Sequence, residues 1–238
     1  VFLLALILFQ SLAIGFIFRS FREAALNRIQ QNALAFRQFS ELSEIIETIF
    51  QKPEPPEYTF IFVGDVMLAR GVHNQIKKHS DFRYPFLKTA PLIREADLTI
   101  GNLEGPISQN GIDQGSIYSF RADPRVVEGL KFAGFDIFSL ANNHILDWGG
   151  EALRDTLVIL KRENIIPIGA GINYEEANKP AIIAINDFKV AFLAYTNLYP
   201  KSFRATEENY GISLFDLEHV RKVIEEIRSS VDFIVISF

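Results

Sequence analysis

Residues 135–140 restrict the fold more than any other stretch. This nearly unbroken apolar run, Phe135-Asp136-Ile137-Phe138-Ser139-Leu140, reads as a buried strand. It gives way at once to Asn142, Asn143, His144 and Asp147: two amides, an imidazole and a carboxylate within six residues. Residues 150–163 then read as a helix. The order strand, polar loop, helix puts the loop at the carboxyl end of a strand, where open α/β sheets bind ligands. Taken alone, the loop reads equally as a turn, since Asn and Asp favour turns for backbone reasons.

Two other stretches repeat the arrangement. Phe60-Ile61-Phe62-Val63-Gly64 runs into Asp65, with Val66-Met67-Leu68-Ala69-Arg70 behind it. Leu98-Thr99-Ile100-Gly101 runs into Asn102-Leu103-Glu104-Gly105-Pro106. Three strands ending at Asp65, Glu104 and Asn143-His144 can converge on one sheet edge. Oxygen and imidazole groups on neighbouring strand ends suit a divalent metal.

The rest of the domain alternates in the same way. Strands are expected at 58–64, 98–101, 135–140 and 165–168, and a helix at 72–78. A helix at 124–133 has Pro124 in its first turn and Gly134 as its stop. Residues 82–86 and 105–123 read as loop. Residues 181–185 and 190–195 read as hairpin partners joined at Asn186-Asp187, followed by a helix at 217–229 and a strand at 232–236. Alternating strands and helices favour a layered α/β fold.

The amino-terminal part differs. Residues 1–18 are apolar except Gln10 and Ser11, with Gly15 as a further break. That is just long enough to cross a hydrocarbon core, and no small-residue cleavage site follows, so an uncleaved transmembrane anchor is expected. A buried core helix is the alternative. Residues 19–52 read as a helical stalk: Leu26, Ile29, Ala33 and Phe36 recur at helical spacing, and the series restarts at Phe39, Leu42, Ile46 and Ile49. The stalk could pair with a second copy or lie against the globular domain. Pro53, Pro55 and Pro56 make 53–57 a stiff linker, after which 58–238 forms the domain. The chain starts at Val1 and stops inside an apolar run, 233–238, so we read it as a fragment missing residues at both ends.

Composition narrows the function. A hydrophobic content of 48% is that of a folded chain. The net charge of −5, with Lys and Arg scattered along the chain, argues against a nucleic-acid surface. The absence of Cys excludes disulfides and thiolate metal sites.

The stretches Gly64-Asp65-Val66-Met67-Leu68-Ala69-Arg70, Asn102-Leu103-Glu104 and Asn142-Asn143-His144-Ile145-Leu146-Asp147-Trp148-Gly149 together resemble the CapA family of poly-γ-glutamate capsule synthesis proteins, within the calcineurin-like metallophosphatase superfamily. The resemblance runs from about Tyr58 to the end. It implies a four-layer α/β/β/α sandwich, truncated at its carboxyl end, and a site for divalent metal ions (Mn, Zn, Fe or Mg). By that resemblance Asp65, Glu104 and Asn143 are metal ligands and His144 is the proton donor or phosphate-holding histidine. Asp147 orients His144 or its loop, and Arg70 meets an anionic substrate oxygen. Met67 stands where the superfamily has a histidine, and thioether is a poor ligand for hard cations, so one metal position is expected to be weak. His73, His79 and His219 match no ligand position and are expected at the surface.

The function implied is a single-pass membrane protein with an extracytoplasmic domain. It would act on an anionic polymer such as poly-γ-glutamate, with other capsule synthesis subunits, through a phosphoesterase-like site. A catalytically weak accessory subunit for export or anchoring and a metal-dependent amide hydrolase are the alternatives.

Overall fold

A computed structural model describes the backbone of residues 2–50, 56–198 and 201–238, while the side chains of 1–18, 20, 21, 24, 49 and 50 lie outside the described residues. The chain divides into two compact units, Val1–Pro56 and Glu57–Phe238.

The first unit is a helix, α1 (Phe2–Phe50). It contains no Pro, and its Arg19–Glu23 and Arg37–Glu41 pairs sit one turn apart, a spacing that supports a solvated helix by a few tenths of a kcal/mol per pair. The backbone stays helical through 36–39, where the hydrophobic series restarts. Leu26, Ile29, Phe36, Phe39, Leu42 and Ile46 are exposed. Among the described residues no helix is long and apolar enough to cross a membrane. The side chains of 1–18, expected to be an anchor, lie outside the described residues, as do residues 53–55 of the linker expected at 53–57.

The second unit begins with β1 (Phe60–Val66), α2 (Arg70–His79), a 3-10 turn at Tyr84–Phe86 and α3 (Ala90–Ile93). Next come β2 (Leu98–Leu103), a long loop, and α4 (Val127–Ala133) behind a 3-10 turn at Pro124–Val126. Gly134 ends α4 at φ = 90°, its N–H reaching back to the carbonyls of Leu130 and Lys131, a left-handed stop that Gly adopts without strain. There follow β3 (Ile137–Ser139), α5 (Gly149–Arg162), β4 (Ile166–Ile168), β5 (Ala170–Gly171) and α6 (Tyr174–Asn178). The chain closes with β6 (Ala181–Ile185), β7 (Phe188–Ala194), β8 (Gly211–Ile212), α7 (Leu217–Ile227) and β9 (Phe233–Ser237).

One sheet is parallel, in the order β1-β2-β3-β4. A second runs β6-β7-β9, with β6 and β7 an antiparallel hairpin and β7 and β9 parallel. The pair β5-β8 is separate.

Three cores bind these elements. The largest joins Ile76, Ile93, Leu130, Leu153 and Leu157 of α2–α5 to Leu103 and Phe138 of the parallel sheet. The opposite face of that sheet, through Leu98, Ile100, Ile137 and Ile168, meets Val190 and Phe192 of β7. Successive residues of β2 and β3 thus serve different cores, as the period of two requires. The third core sets Leu193 and Tyr195 against Val220 and Val223 of α7. Losing one of these Leu side chains to Ala would cost about 2–5 kcal/mol.

One expectation is corrected here. His219 is half-buried rather than a free surface residue: its Nδ1 faces the Tyr174 hydroxyl at 3.2 Å and its Nε2 is buried without a hydrogen-bond partner among the described residues. Its place on the buried side of α7, beside Val220 and Val223, explains this. His79 is exposed and stacks on Tyr84, ring centroids 3.8 Å apart. The 82–86 stretch, expected as loop, contains the 3-10 turn because Phe86 is anchored in the largest core.

Candidate polar site at the carboxyl edge of the parallel sheet

Parallel strands bring their carboxyl ends to one edge, so β1, β2 and β3 deliver their polar ends side by side. Asp65 is in register with Asn102, and Asn102 with Ser139. The register of β1 against β2 shifts between Phe62 and Asp65. Such an irregularity re-aims a side chain. Glu104 follows β2 directly, and its N–H donates to the Val66 carbonyl at 3.1 Å. Gly105 then turns the chain away at φ = 103°, and a Cβ there would sit 2.8 Å from that of Phe120.

The first part of the site is an acid pair on one amide. The Asn102 Nδ2 group donates to Asp65 Oδ1 at 2.8 Å and to Glu104 Oε2 at 2.7 Å. Its orientation is set from the other side, since Asn142 Nδ2 donates to Asn102 Oδ1 at 3.0 Å and to the Leu103 carbonyl at 2.8 Å. Asn142 Oδ1 in turn accepts from the His144 N–H at 3.0 Å. Burial pushes the Glu104 carboxyl above its ordinary range, and the Asp65 charge adds to the shift, while His144 and the Asn102 hydrogen bond oppose it.

The second part is the imidazole. Asp147 Oδ2 lies 2.8 Å from His144 Nδ1 and also accepts from the Phe120 N–H at 2.8 Å. Asp147 is buried, and accepting from Nδ1 leaves Nε2 free to face the acids: it stands 3.7 Å from Glu104 Oε1. The Phe120 ring packs on the imidazole, centroids 4.2 Å apart. The Arg70 guanidinium carbon lies 5.8 Å from the Phe120 ring and 5.7 Å from that of Tyr118.

The third part is the loop over residues 105–123, which supplies those rings. The Ile112 and Gln114 N–H groups donate to the carbonyls of Trp148 and Asp147, at 3.2 and 2.8 Å. Gly111, at φ = 93°, permits this approach, since a Cβ there would stand 2.1 Å from the Trp148 carbonyl oxygen. The base of the loop is held on α5, where the Ile107 N–H donates to Thr156 Oγ1 at 2.9 Å and the Ser108 hydroxyl to Asp155 Oδ2 at 2.6 Å.

The structure therefore links Asp65, Glu104, His144 and Asp147 in one hydrogen-bonded cluster and connects Arg70 to it through Phe120. Asn143 shares the loop with His144, half-buried, but it is Asn142 that reaches β2. Asn102, Asn142 and Phe120 carry no role in the sequence reading. The two amides lie inside its motifs, whereas Phe120 comes from an aperiodic loop that offers no signal. The Met67 thioether accepts from the Ala69 N–H at 3.2 Å, a local contact in place of an imidazole.

Among the described residues no three His, Cys, Asp or Glu side chains form a group able to hold a metal ion. The donors that do converge, the carboxylates of Asp65 and Glu104, suit one hard, oxygen-ligated divalent cation completed by amide oxygen or water, rather than a tightly held pair. The arrangement combines an acid pair with an oriented imidazole, a combination that suits hydrolysis of an ester or amide bond.

A family model described as bacterial capsule synthesis protein PGA_cap matches residues 59–238. The chain is 26% identical over 192 residues to the capsule biosynthesis protein CapA of Bacillus anthracis, covering 77% of this chain and 46% of that protein. It is 28% identical over 179 residues to the PGA biosynthesis protein CapA of Bacillus subtilis, covering 74% and 47%. It is 26% identical over 198 residues to a protein of Mycobacterium tuberculosis named as a probable polyglutamine synthesis accessory protein, covering 78% and 52%. The chain spans about half the length of these curated relatives.

Proposed function

The chain belongs to the bacterial capsule synthesis protein PGA_cap family, and from that premise we propose that it serves the biosynthesis of an anionic capsule-type polymer through a hydrolytic site at the carboxyl edge of β1–β3. The names of its relatives in Bacillus support the polymer role. The observation that carries the hydrolytic reading is the continuous hydrogen-bonded path from the Asp65–Glu104 pair through Asn102 and Asn142 to the His144–Asp147 pair.

In this reading His144 Nε2 takes or gives the proton at the scissile bond, while Asp147 fixes the tautomer and Asn142 the loop. Asp65 and Glu104, with Asn143, would hold a divalent cation, Mn, Zn, Fe or Mg, which would supply a Lewis acid and an activated water. The Asn102 amide between the two acids keeps them close without neutralising either. The sequence of cores, helices on sheet, sheet on sheet and sheet on α7, supports the four-layer sandwich of the metallophosphatase superfamily. The apolar segment 1–18 anchors the chain in the cell membrane with the domain outside the cytoplasm. The exposed apolar residues of α1 suit association of the stalk with a second copy or with other synthesis subunits.

The accessory alternative keeps one specific support, the local engagement of the Met67 thioether where an imidazole would serve a second metal. Turnover decides between them. The full chain, supplied with Mn²⁺, is assayed for shortening of poly-γ-glutamate and for phosphate-ester hydrolysis. The hydrolytic reading expects one activity, reduced about 10²-fold or more in His144→Ala and lost with Mn²⁺ binding in Asp65→Ala. Absence of both activities in the wild-type chain would leave the accessory role.

A further inference from the structure

The β6–β7 hairpin leaves one strand edge bare. Along β7, the Lys189 and Tyr195 backbone groups bond toward β9, Lys189 with Asp232 and Tyr195 with Ser237. By the alternation of a strand, Phe188, Val190 and Phe192 bond the other way, to their register partners Ile185, Ile183 and Ala181. The N–H and C=O groups of Ile182 and Ala184 are left pointing away from the sheet, where no further strand pairs with β6 among the described residues. Ile182 is also 49% exposed, and Ala184 is exposed, while Ala181, Ile183 and Ile185 turn toward the core between the sheets. Bare edges are ordinarily blunted by Pro, by charge or by a bulge. The parallel sheet does so at its own edge, where Pro167 stands in the middle of β4. The strand β6 has none of these devices. It reads Ala181-Ile182-Ile183-Ala184-Ile185, and its register with β7 is unbroken.

The residues at the two ends of β6 decide what fits its edge. Lys179 precedes the strand and Asp187 follows it, both exposed, and neither closes an ion pair among the described residues. Glu176, whose charge Lys179 feels, is already held by Lys161. Let the β6 strand of a second copy run antiparallel to this one about a two-fold axis at Ile183. Ile182 then falls opposite Ala184 of the second copy, and each such pair exchanges both backbone bonds. On the exposed face a large side chain lies beside a small one. In the same register Lys179 falls opposite Asp187 of the second copy, and Asp187 opposite its Lys179, so opposite charges meet at both ends. The Asn186-Asp187 turn of the second copy comes to a cleft of about 710 Å³ at the start of β6, whose lining includes Lys161, Ile166, Pro167, Lys179, Pro180 and Ile182. We propose that β6 is a contact between two copies of this chain, joined edge to edge by antiparallel pairing centred on Ile183 into one continuous sheet. The surface lies wholly within the second unit and is distinct from the stalk. The ladder is short, so the pairing is weak and is populated where copies are concentrated.

Zero-length carbodiimide cross-linking of the full wild-type chain, read by peptide mass spectrometry, tests this without any substitution. Lys179 and Asp187 of one chain stand at opposite ends of β6, on the order of 25 Å apart at the rise of a strand, so a Lys179–Asp187 link forms only between copies. That link is expected. The chain has no Cys, so a single introduced thiol then reports the register. Ile183→Cys sets the thiols of the two copies on the axis, with Cα atoms about 4.5 Å apart and within disulfide reach. Ile182→Cys, at the more exposed position, sets them more than about 7 Å apart, beyond that reach. Under copper-phenanthroline oxidation the first should form a disulfide-linked dimer at least about fivefold faster than the second. Adding Asp187→Lys to Ile183→Cys should slow dimer formation roughly fivefold, and adding Lys179→Asp as well should restore it. Ala184→Pro removes an outward N–H and no bond to β7, so it should abolish the dimer. Absence of the Lys179–Asp187 link, equal rates at the two thiol positions, or a dimer indifferent to Ala184→Pro would overturn the proposal. Slow exchange of the Ile182 and Ala184 amide hydrogens without any link between copies would place a different strand on this edge, and would overturn it as well.

Discussion

His219 faces Tyr174 and Tyr195 from α7, with Asp216, Arg204, Lys222 and Glu226 as the charged groups around it. Burial holds its pKa below the ordinary 6.5, with Asp216 opposing that shift. A histidine whose folded pKa is depressed binds its proton more readily when unfolded, so stability is complete above about pH 6.5 and falls as the pH drops through it. Melting followed at about pH 7.5 and pH 5.5 should show a smaller acid loss in His219→Gln than in the wild-type chain; equal losses would mean that the imidazole is solvated. The neighbouring Tyr195 hydroxyl, pushed up to about 12 by burial, stays protonated throughout this range. At the polar site, the groups read from sequence were those that could ligate, transfer a proton or meet an anion: Asp65, Glu104, Asn143, His144, Asp147 and Arg70. The groups that orient them, Asn102 and Asn142, were in view but indistinct. Asn142 and Asn143 are the same residue type in adjacent positions, and only the direction of the side chain separates them.

The loop over 105–123 is the element on which the site's shape depends, and its mooring can be tested. The Thr156 hydroxyl accepts from the Ile107 N–H and donates to the Ala152 carbonyl, with both Thr156 and Ile107 fully buried. Thr156→Val keeps the shape and strands that N–H. A cost of about 1–3 kcal/mol is expected in urea unfolding, since a buried donor loses its partner without gaining water. A change below roughly 0.5 kcal/mol, the scatter of surface substitutions, would mean that the loop base repacks. Long elements were legible because their periods are. The apolar strands β1, β2 and β7 and the helix α5 need no partner to be recognised. The strands β5 and β8 have two residues each, too few for any period, and exist because distant segments meet. The five-residue α6 is fixed by its cap, where Asn173 accepts from the Glu176 N–H, more than by any apolar pattern.

At the scale of the whole molecule, a 49-residue helix and a layered α/β unit form separate bodies. If residues 1–18 anchor the chain, the full-length protein sediments with membranes and stays there in high salt, coming off only with detergent. Release by salt alone would show that the segment is not inserted. Within the second unit, work is divided between strand tips and one long loop. The acids and amides stand on the parallel sheet, whereas Tyr118 and the exposed Ile112 and Ile117 stand on a loop fastened at Gly111, Phe120 and its base. That division has an evolutionary consequence. Descendants of this chain can rewrite the stretch from 112 to 118, and with it the surface around the polar cluster, while inheriting the cluster itself unchanged.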